Sequence, residues 1–460
     1  MNHNQAVRDL ILNTRDHFAK LRRPFLCKNG FLSSLLFSNI TFLSTLTYLL
    51  LSFNLSFAFT ENSESVANPK LKSVSKFNAN QDNKKNYNLW SGDFSVDVRN
   101  EKTTNDYKET NLTRLSLSSR MQYVPTDYFS LLAAPALKYK SGFQTKDDSP
   151  NAGTFNGSKT DLIIKEAAID LSAPISSEIR TGVLVGAIDQ SRFHTSLLMS
   201  EKAFPSMIIT VGSLSSKYFN NKTNTLNATT GSHSNHSYTA KGFKLFAQSS
   251  VPTSEGLRSE TNELESAPSF FSAGLVANYE LLSQLVADLK VSYFQFKNTP
   301  VLVSTQSSYW GNTTDSVNAT QARLRYEPTG VEAQLGFDLT ITKGWTYQVQ
   351  AVGVNNQEAP EDLARAYSLK NGLQWQINNN WAFTPSYKYY RIDSDATISY
   401  YLDPAYETNR VGHQLELSLE NKNIFKIGLE LREETVLKES FYQSKNQIYM
   451  LKLESGYAQF

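Results

Sequence analysis

Trp90–Arg99 reads WSGDFSVDVR, and its alternation decides the fold. Trp90, Gly92, Phe94, Val96 and Val98 fall on one face, and Ser91, Asp93, Ser95, Asp97 and Arg99 on the other. A period of two is that of a β-strand with one apolar and one polar side. The pattern returns at once. Leu115, Leu117, Ser119, Met121 and Tyr123 oppose Ser116, Ser118, Arg120 and Gln122, after the polar stretch EKTTNDYKETN. A tight Val124-Pro125-Thr126-Asp127 turn leads to a third run, Phe129, Leu131, Ala133, Pro135, Leu137 and Tyr139. Pro135 cannot donate to a ladder and weakens that strand locally.

Downstream the same unit repeats to the end of the chain. Phe271 to Tyr279 alternates, then Leu285 to Tyr293 after a short LLSQ turn. Val331 to Leu339 precedes Thr342-Lys343-Gly344, and Trp345 to Ala351 follows it. Leu373 and Trp375 meet Trp381 and Phe383 across Asn378-Asn379-Asn380, and Leu415 to Leu419 meets Phe425 to Leu431 across Asn421-Lys422-Asn423. Between these hairpins lie long polar stretches at 141–160, 189–205, 249–269, 298–317, 392–409 and 435–445. Short turns alternating with long loops mark outer-membrane barrels, with the turns periplasmic and the loops outside. A soluble sandwich has no reason to segregate loop lengths, and its strands average ~5–6 residues where these run near ~10. The expectation is a transmembrane antiparallel β-barrel of 16 strands over 88–460, with 14 or 18 also compatible. Two places strain the count: the 214–237 connection is long where a short turn is due, and 318–341 reads as one strand bulged at Pro328-Thr329-Gly330 or as two. Tyr123, Tyr128, Phe129, Trp345, Trp375, Trp381 and Phe425 all flank short turns, where amphipathic rings form a girdle at the headgroup boundary.

The N-terminus predicts export. Arg8, Arg15, Lys20, Arg22, Arg23 and Lys28 precede an apolar run from Phe31 to Phe59, and Ser56-x-Ala58 supplies a small-residue cut. Residues 1–58 therefore read as a signal peptide and 59–87, rich in Asn, Lys and Ser, as a flexible periplasmic lead. The run is long for a cleaved signal, and an uncleaved anchor is the alternative. Arg22-Arg23-Pro24-Phe25-Leu26 resembles a twin-arginine motif, but that route carries folded cargo. Cys27 is the single cysteine and precedes the cut, so disulfides and thiolate metal sites are excluded from the mature chain. After Phe59 no apolar stretch reaches the ~20 residues of a spanning helix, so a membrane span requires a closed sheet.

The last strand, Ile448 to Phe460, ends on Phe460. It resembles the C-terminal signal of bacterial outer-membrane proteins, which implies recognition by the barrel assembly machinery. A second resemblance lies in IRTGVLVGAIDQSRFHTSLLMSEKAFPSM, Ile179–Met207. Leu198, Met199, Glu201, Lys202, Phe204 and Pro205 are similar to the strand-plus-loop run of the phosphate-selective porin family. That family's Pro-Phe-Gly-Leu-Glu stretch is replaced by Asp189-Gln190-Ser191-Arg192-Phe193, so the resemblance implies porin-like architecture and leaves phosphate selectivity unsupported.

A barrel of this size holds water. The expected function is passive diffusion of small hydrophilic solutes or ions across outer-membrane lipid of a Gram-negative cell. The charges expected in the lumen are Arg120, Lys138, Asp288, Lys290, Arg323 and Arg325, of mixed sign, which predicts weak ion selectivity. Loop 189–205 is the candidate constriction, presenting Asp189, Arg192, Glu201 and Lys202 from an apolar segment able to pack inward; packing outside on its neighbours is the alternative. A homotrimer is expected by analogy alone. Net charge of +2 gives no reason for a nucleic-acid partner, and no cofactor or enzyme activity is expected. The rival function is a non-conducting barrel acting through its loops, as adhesin or surface enzyme. Gly231-Ser232-His233-Ser234-Asn235-His236-Ser237 offers Ser and His together, and resembles the His-x-Ser-Asn-Gly motif of outer-membrane phospholipases, but His236 stands where that motif needs Gly.

Overall fold

The computed structural model describes residues 90–104, 109–126, 128–144, 155–199, 203–213, 242–252, 267–282, 284–315, 322–402, 406–421, 425–440, 443–455 and 458–459. The sheet has sixteen antiparallel strands. They are β1 (Trp90–Thr104), β2 (Glu109–Thr126), β3 (Phe129–Gln144), β4 (Phe155–Pro174), β5 (Arg180–Asp189), β6 (Ala203–Gly212), β7 (Gly242–Ser250) and β8 (Ser269–Leu282). Then come β9 (Leu285–Lys297), β10 (Thr329–Thr342), β11 (Trp345–Asn356), β12 (Arg365–Gln376), β13 (Trp381–Ile392), β14 (Arg410–Asn421), β15 (Phe425–Val436) and β16 (Asn446–Ser455). A short piece, Ala458–Gln459, resumes the last ladder beside Asp93 and Phe94. Each strand pairs with its chain neighbours, and β16 pairs with β1 from Asp97↔Glu454 to Thr104↔Gln447, so the sheet closes on itself and leaves no free edge.

Alternation continues in three dimensions. On β8–β10 the side chains of Phe271, Tyr279, Val291, Tyr293, Val331 and Leu335 are exposed on the outside, while Ser272, Asn278, Asp288, Lys290, Ser292, Glu332 and Gln334 between them are buried. Apolar groups outward and polar groups inward reverse the order of a water-soluble fold, where burial of apolar area drives collapse. Leu162, 78% exposed on β4, is the extreme case.

The polar Glu101–Asn111 stretch, read from sequence as loop, is strand at both margins: β1 runs to Thr104 and β2 starts at Glu109. Pro135 does not end β3. A register shift between Ala134 and Pro135 absorbs it, with Glu166 and Ile164 as successive partners and Lys165 as the extra residue of a bulge. The expected strand over 318–341 begins only at Thr329, as a single strand. Ahead of it the stretch read as polar loop contains a helix, α1 (Val301–Tyr309). Its Val303 and Tyr309 are buried, so tertiary packing overrides a composition rich in Ser and Thr. Turns at one end are short. Lys343-Gly344 joins β10 to β11, and Gly344 takes φ +93°, which a side chain disfavours. The exception at that end is 213–241; residues 214–241 lie outside the described residues, as do the segments read from sequence as signal peptide and lead, the Ser/His stretch at 231–237 and Phe460.

Candidate functional site

The barrel interior is the site, and the connection between β5 and β6 crosses it. Gln190–Arg192 forms one 3-10 turn, and Asp189 Oδ1 caps it by accepting the Ser191 N–H at 3.0 Å. The chain then turns inward. Lys290 Nζ on β9 donates to the Ser191 and His194 carbonyls at 2.9 and 3.2 Å. Glu332 on β10 takes the Thr195 N–H at 2.8 Å and the Ser292 hydroxyl at 2.6 Å, and lies 2.5 Å from His194 Nδ1. The other ring nitrogen of His194 lies 3.3 Å from Gln248 on β7 and 3.2 Å from Ser272 on β8. Four consecutive strands thus hold the segment by their inward side chains. A carboxylate buried this deeply is costly alone, and three contacts from partners of the right polarity offset the desolvation.

The apolar residues of the segment split between two clusters. Phe193 packs with Leu132, Leu184 and Phe246 from the barrel wall. Leu197, Leu198 and Met199, fully buried, join Phe270, Phe294 and Phe296 from the wall and Ile398, Tyr401 and Leu402 from the β13–β14 connection. Val303 of α1 enters the same cluster. Tyr401 stacks on Phe296 at 5.7 Å and meets Phe204 edge-on at 5.3 Å. Asn312 ties the outer layer together, donating to the Ser394 and Thr397 carbonyls at 2.7 and 2.6 Å. Three connections therefore meet inside the end of the barrel bounded by β6–β14.

The opposite wall keeps a cavity. Asp93, Asp97, Arg99, Ser116, Arg120, Lys165, Glu166, Asp189 and Glu454 line it, from β16 round to β5. Arg192 reaches from the inward segment to Glu166 at 2.9 Å and closes its side. Along β13–β16 the wall carries buried ion pairs, Lys452 to Glu430 at 2.6 Å and Arg432 to Glu430 and to Glu434, and the Tyr390 hydroxyl donates a hydrogen bond to Glu434.

Among the residues singled out from sequence, Asp189, Arg192 and Arg120 border the cavity or its closure. Asp288 and Lys290 are buried on β9, where Asp288 accepts from Gln334 at 3.0 Å. Lys138 stands on β3 opposite Ser116 and Asp161. Arg323 and Arg325 lie in the connection before β10, and Arg323 donates to the Thr299 carbonyl at 3.0 Å. Glu201 and Lys202 lie outside the described residues. Sequence reading missed His194 and Glu332. Glu332 did carry a signal, being a carboxylate on the polar face of an alternating run, but nothing local could name its partner 138 residues away. Among the described residues no group of three His, Asp or Glu side chains could hold a metal.

No family model matches the chain, and no curated protein matches it in sequence. Among solved structures it overlaps OprB of Pseudomonas putida at 9% identity and a TM-score of 0.47, over 81% of this chain and 94% of that one. OmpF of Salmonella typhi, in complex with daunomycin, overlaps at 9% identity and TM-score 0.42, over 80% and 97% of the two chains. OmpT of Vibrio cholerae, an outer membrane protein in a loop-deleted form, overlaps at 10% identity and TM-score 0.40, over 80% and 100%.

Proposed function

We propose that this chain is an outer-membrane porin, exported after removal of residues 1–58 and passing small hydrophilic solutes or ions by diffusion. The observation that carries the reading is the inverted sheet: apolar side chains outside, polar and charged ones inside, closed without an edge. Loop 189–205 acts as the constriction, presenting Asp189, Arg192, Glu201 and Lys202, with Arg120, Lys138, Asp288, Lys290, Arg323 and Arg325 contributing to the field along the path. Mixed charge on the wall supports weak ion selectivity. Phe460 serves as the assembly signal, and the working form is a homotrimer.

Planar-bilayer recording on the refolded protein tests this. Stable unit steps with a reversal potential near zero in a salt gradient are expected, and deletion of 191–199 should enlarge the steps. One observation favours a second reading: three connections fill part of the barrel end with apolar side chains. A folded barrel without conductance would move the function to those connections, as adhesin or surface enzyme.

A further inference from the structure

The inward side chains of β16–β4 form two parallel rows of charge. Reading across the ladders, Lys452 on β16 stands opposite Arg99 on β1, Arg99 opposite Arg114 on β2, Arg114 opposite Lys140 on β3, and Lys140 opposite Lys159 on β4. Five cations thus face one another on five adjacent strands. Two residues nearer the turn end runs a second row, Glu454, Asp97, Ser116, Lys138 and Asp161, on the same strands. Like charges directly opposite on a sheet destabilise it. Carboxylates of the flanking rows relieve the basic row: Arg99 pairs with Asp97 at 2.8 Å, Arg114 with Glu101 at 3.2 Å and Lys159 with Asp161 at 3.1 Å. These three pairs are partly exposed and therefore weak, so a passing charge can exchange with them. Asp97 Oδ1, Ser116 Oγ and Glu454 Oε2 are three buried oxygens in successive positions of the second row, ahead of the cation Lys138, and none has a hydrogen-bond partner among the described residues. Asp97, Ser116 and Glu454 of the second row and Arg99 of the basic row also line the open cavity, so the two rows meet a solute's space at Arg99 and Asp97.

The spacing specifies a solute. Two residues along a strand advance roughly 6.6–6.8 Å, which separates the rows. An extended two-residue peptide spans at most roughly 6.6–7.2 Å. Barrel strands tilt by roughly 35–45° from the axis, so rows perpendicular to the strands run obliquely along the passage and form continuous tracks. We propose that this wall selects zwitterionic solutes of dipeptide length, the ammonium following the oxygen row of Glu454, Asp97 and Ser116 and the carboxylate following Arg99 and Arg114 on the neighbouring row. Such a solute meets both rows at once, whereas a simple ion gains from one and is repelled by the other, so weak ion selectivity and zwitterion preference coexist. The inference rests on the channel reading above.

Swelling of proteoliposomes carrying the refolded protein tests it, comparing glycylglycine with N-acetylglycinamide, a neutral molecule of similar size. The zwitterion should enter about two- to tenfold faster, the gain from one or two exposed ion contacts. The paired change Arg99→Gln with Arg114→Gln, and separately Asp97→Asn with Glu454→Gln, should bring the ratio to about one, with folding of the variants checked by their heat-modifiable migration on gel electrophoresis. Equal entry of both solutes through the parent protein overturns the zwitterion inference and leaves the channel intact. A preference that survives both paired changes overturns the role of the rows. Entry of neither solute, with no salt conductance, overturns the channel reading and this inference with it.

Discussion

Glu332 holds the inward segment from the wall, and its three contacts make it the residue whose loss the lumen should feel most. Replacing it with Ala strands the Thr195 N–H, the Ser292 hydroxyl and one nitrogen of His194, and each orphaned buried group costs about 1–3 kcal/mol. Glu332→Ala should therefore give single-channel traces that flicker among levels, while Glu332→Gln, which keeps an acceptor, should hold one level; identical steady traces would dissociate this tether from conduction. Asp395, in the outer layer, makes a pH prediction. Burial raises its carboxyl above the ordinary range, against hydrogen bonds from the Thr313 N–H and hydroxyl at 2.9 and 2.6 Å. With the folded value above the unfolded 3.8, its stabilising share is complete below pH 3.8 and is lost as pH rises through the folded value. The protection factor of the Thr313 amide, with the intrinsic base-catalysed exchange rate divided out, should accordingly fall from acid to neutral pH in the parent and stay flat in Asp395→Asn. An unchanged pH slope in the variant would remove Asp395 from the account.

Among the elements, the strands were nearly all legible in the sequence because one physical signal, apolar-polar alternation, sets strand, face and register together. It failed where alternation meets a different demand. Pro135 reads as a defect but is taken up by a bulge that makes Lys165 the additional residue at the cavity, and α1 reads as polar loop because its Ser and Thr carry no helical stripe. Close approaches between strands are equally silent in one dimension. A Cβ on Gly412 of β14 would stand 2.5 Å from the Tyr390 ring, whose hydroxyl donates to Glu434. Gly412→Ala should thus cost about 1–3 kcal/mol by overpacking, and lower the unfolding temperature of the refolded barrel. Adding Tyr390→Phe should not restore it, because the ring itself still clashes; recovery in the double variant would place the strain at the hydroxyl instead.

At the scale of the whole molecule the question is which part of the surface meets lipid. Trp345 and Trp375 are register partners on β11 and β12, stacked 5.5 Å apart on the outside and next to short turns. Trp310 caps α1 at the other end, stacked on Tyr400 at 6.2 Å and 36% exposed. These positions were readable only in part: alternation predicts an outward Trp345 beside a turn, but nothing in the sequence places Trp310 on a helix end among the connections. If the apolar belt lies in a bilayer, rings beside the turns sit at the headgroup level and the connections stand in water. A variant keeping Trp345 alone, the other tryptophans changed to Phe, should be quenched more by lipid brominated near the headgroup than by lipid brominated near the chain ends, and weakly by aqueous iodide. The variant keeping Trp310 alone should show the reverse, with strong iodide quenching and little from either lipid. Were both tryptophans quenched alike by iodide and neither by brominated lipid, the belt would face a protein partner or a detergent artefact and the membrane reading would fail, whatever the strand count. Should Trp345 respond most to bromine near the chain ends, the protein would still span lipid, but the belt would be displaced toward the turns and the girdle reading of Trp345 and Trp375 would be the part to give way.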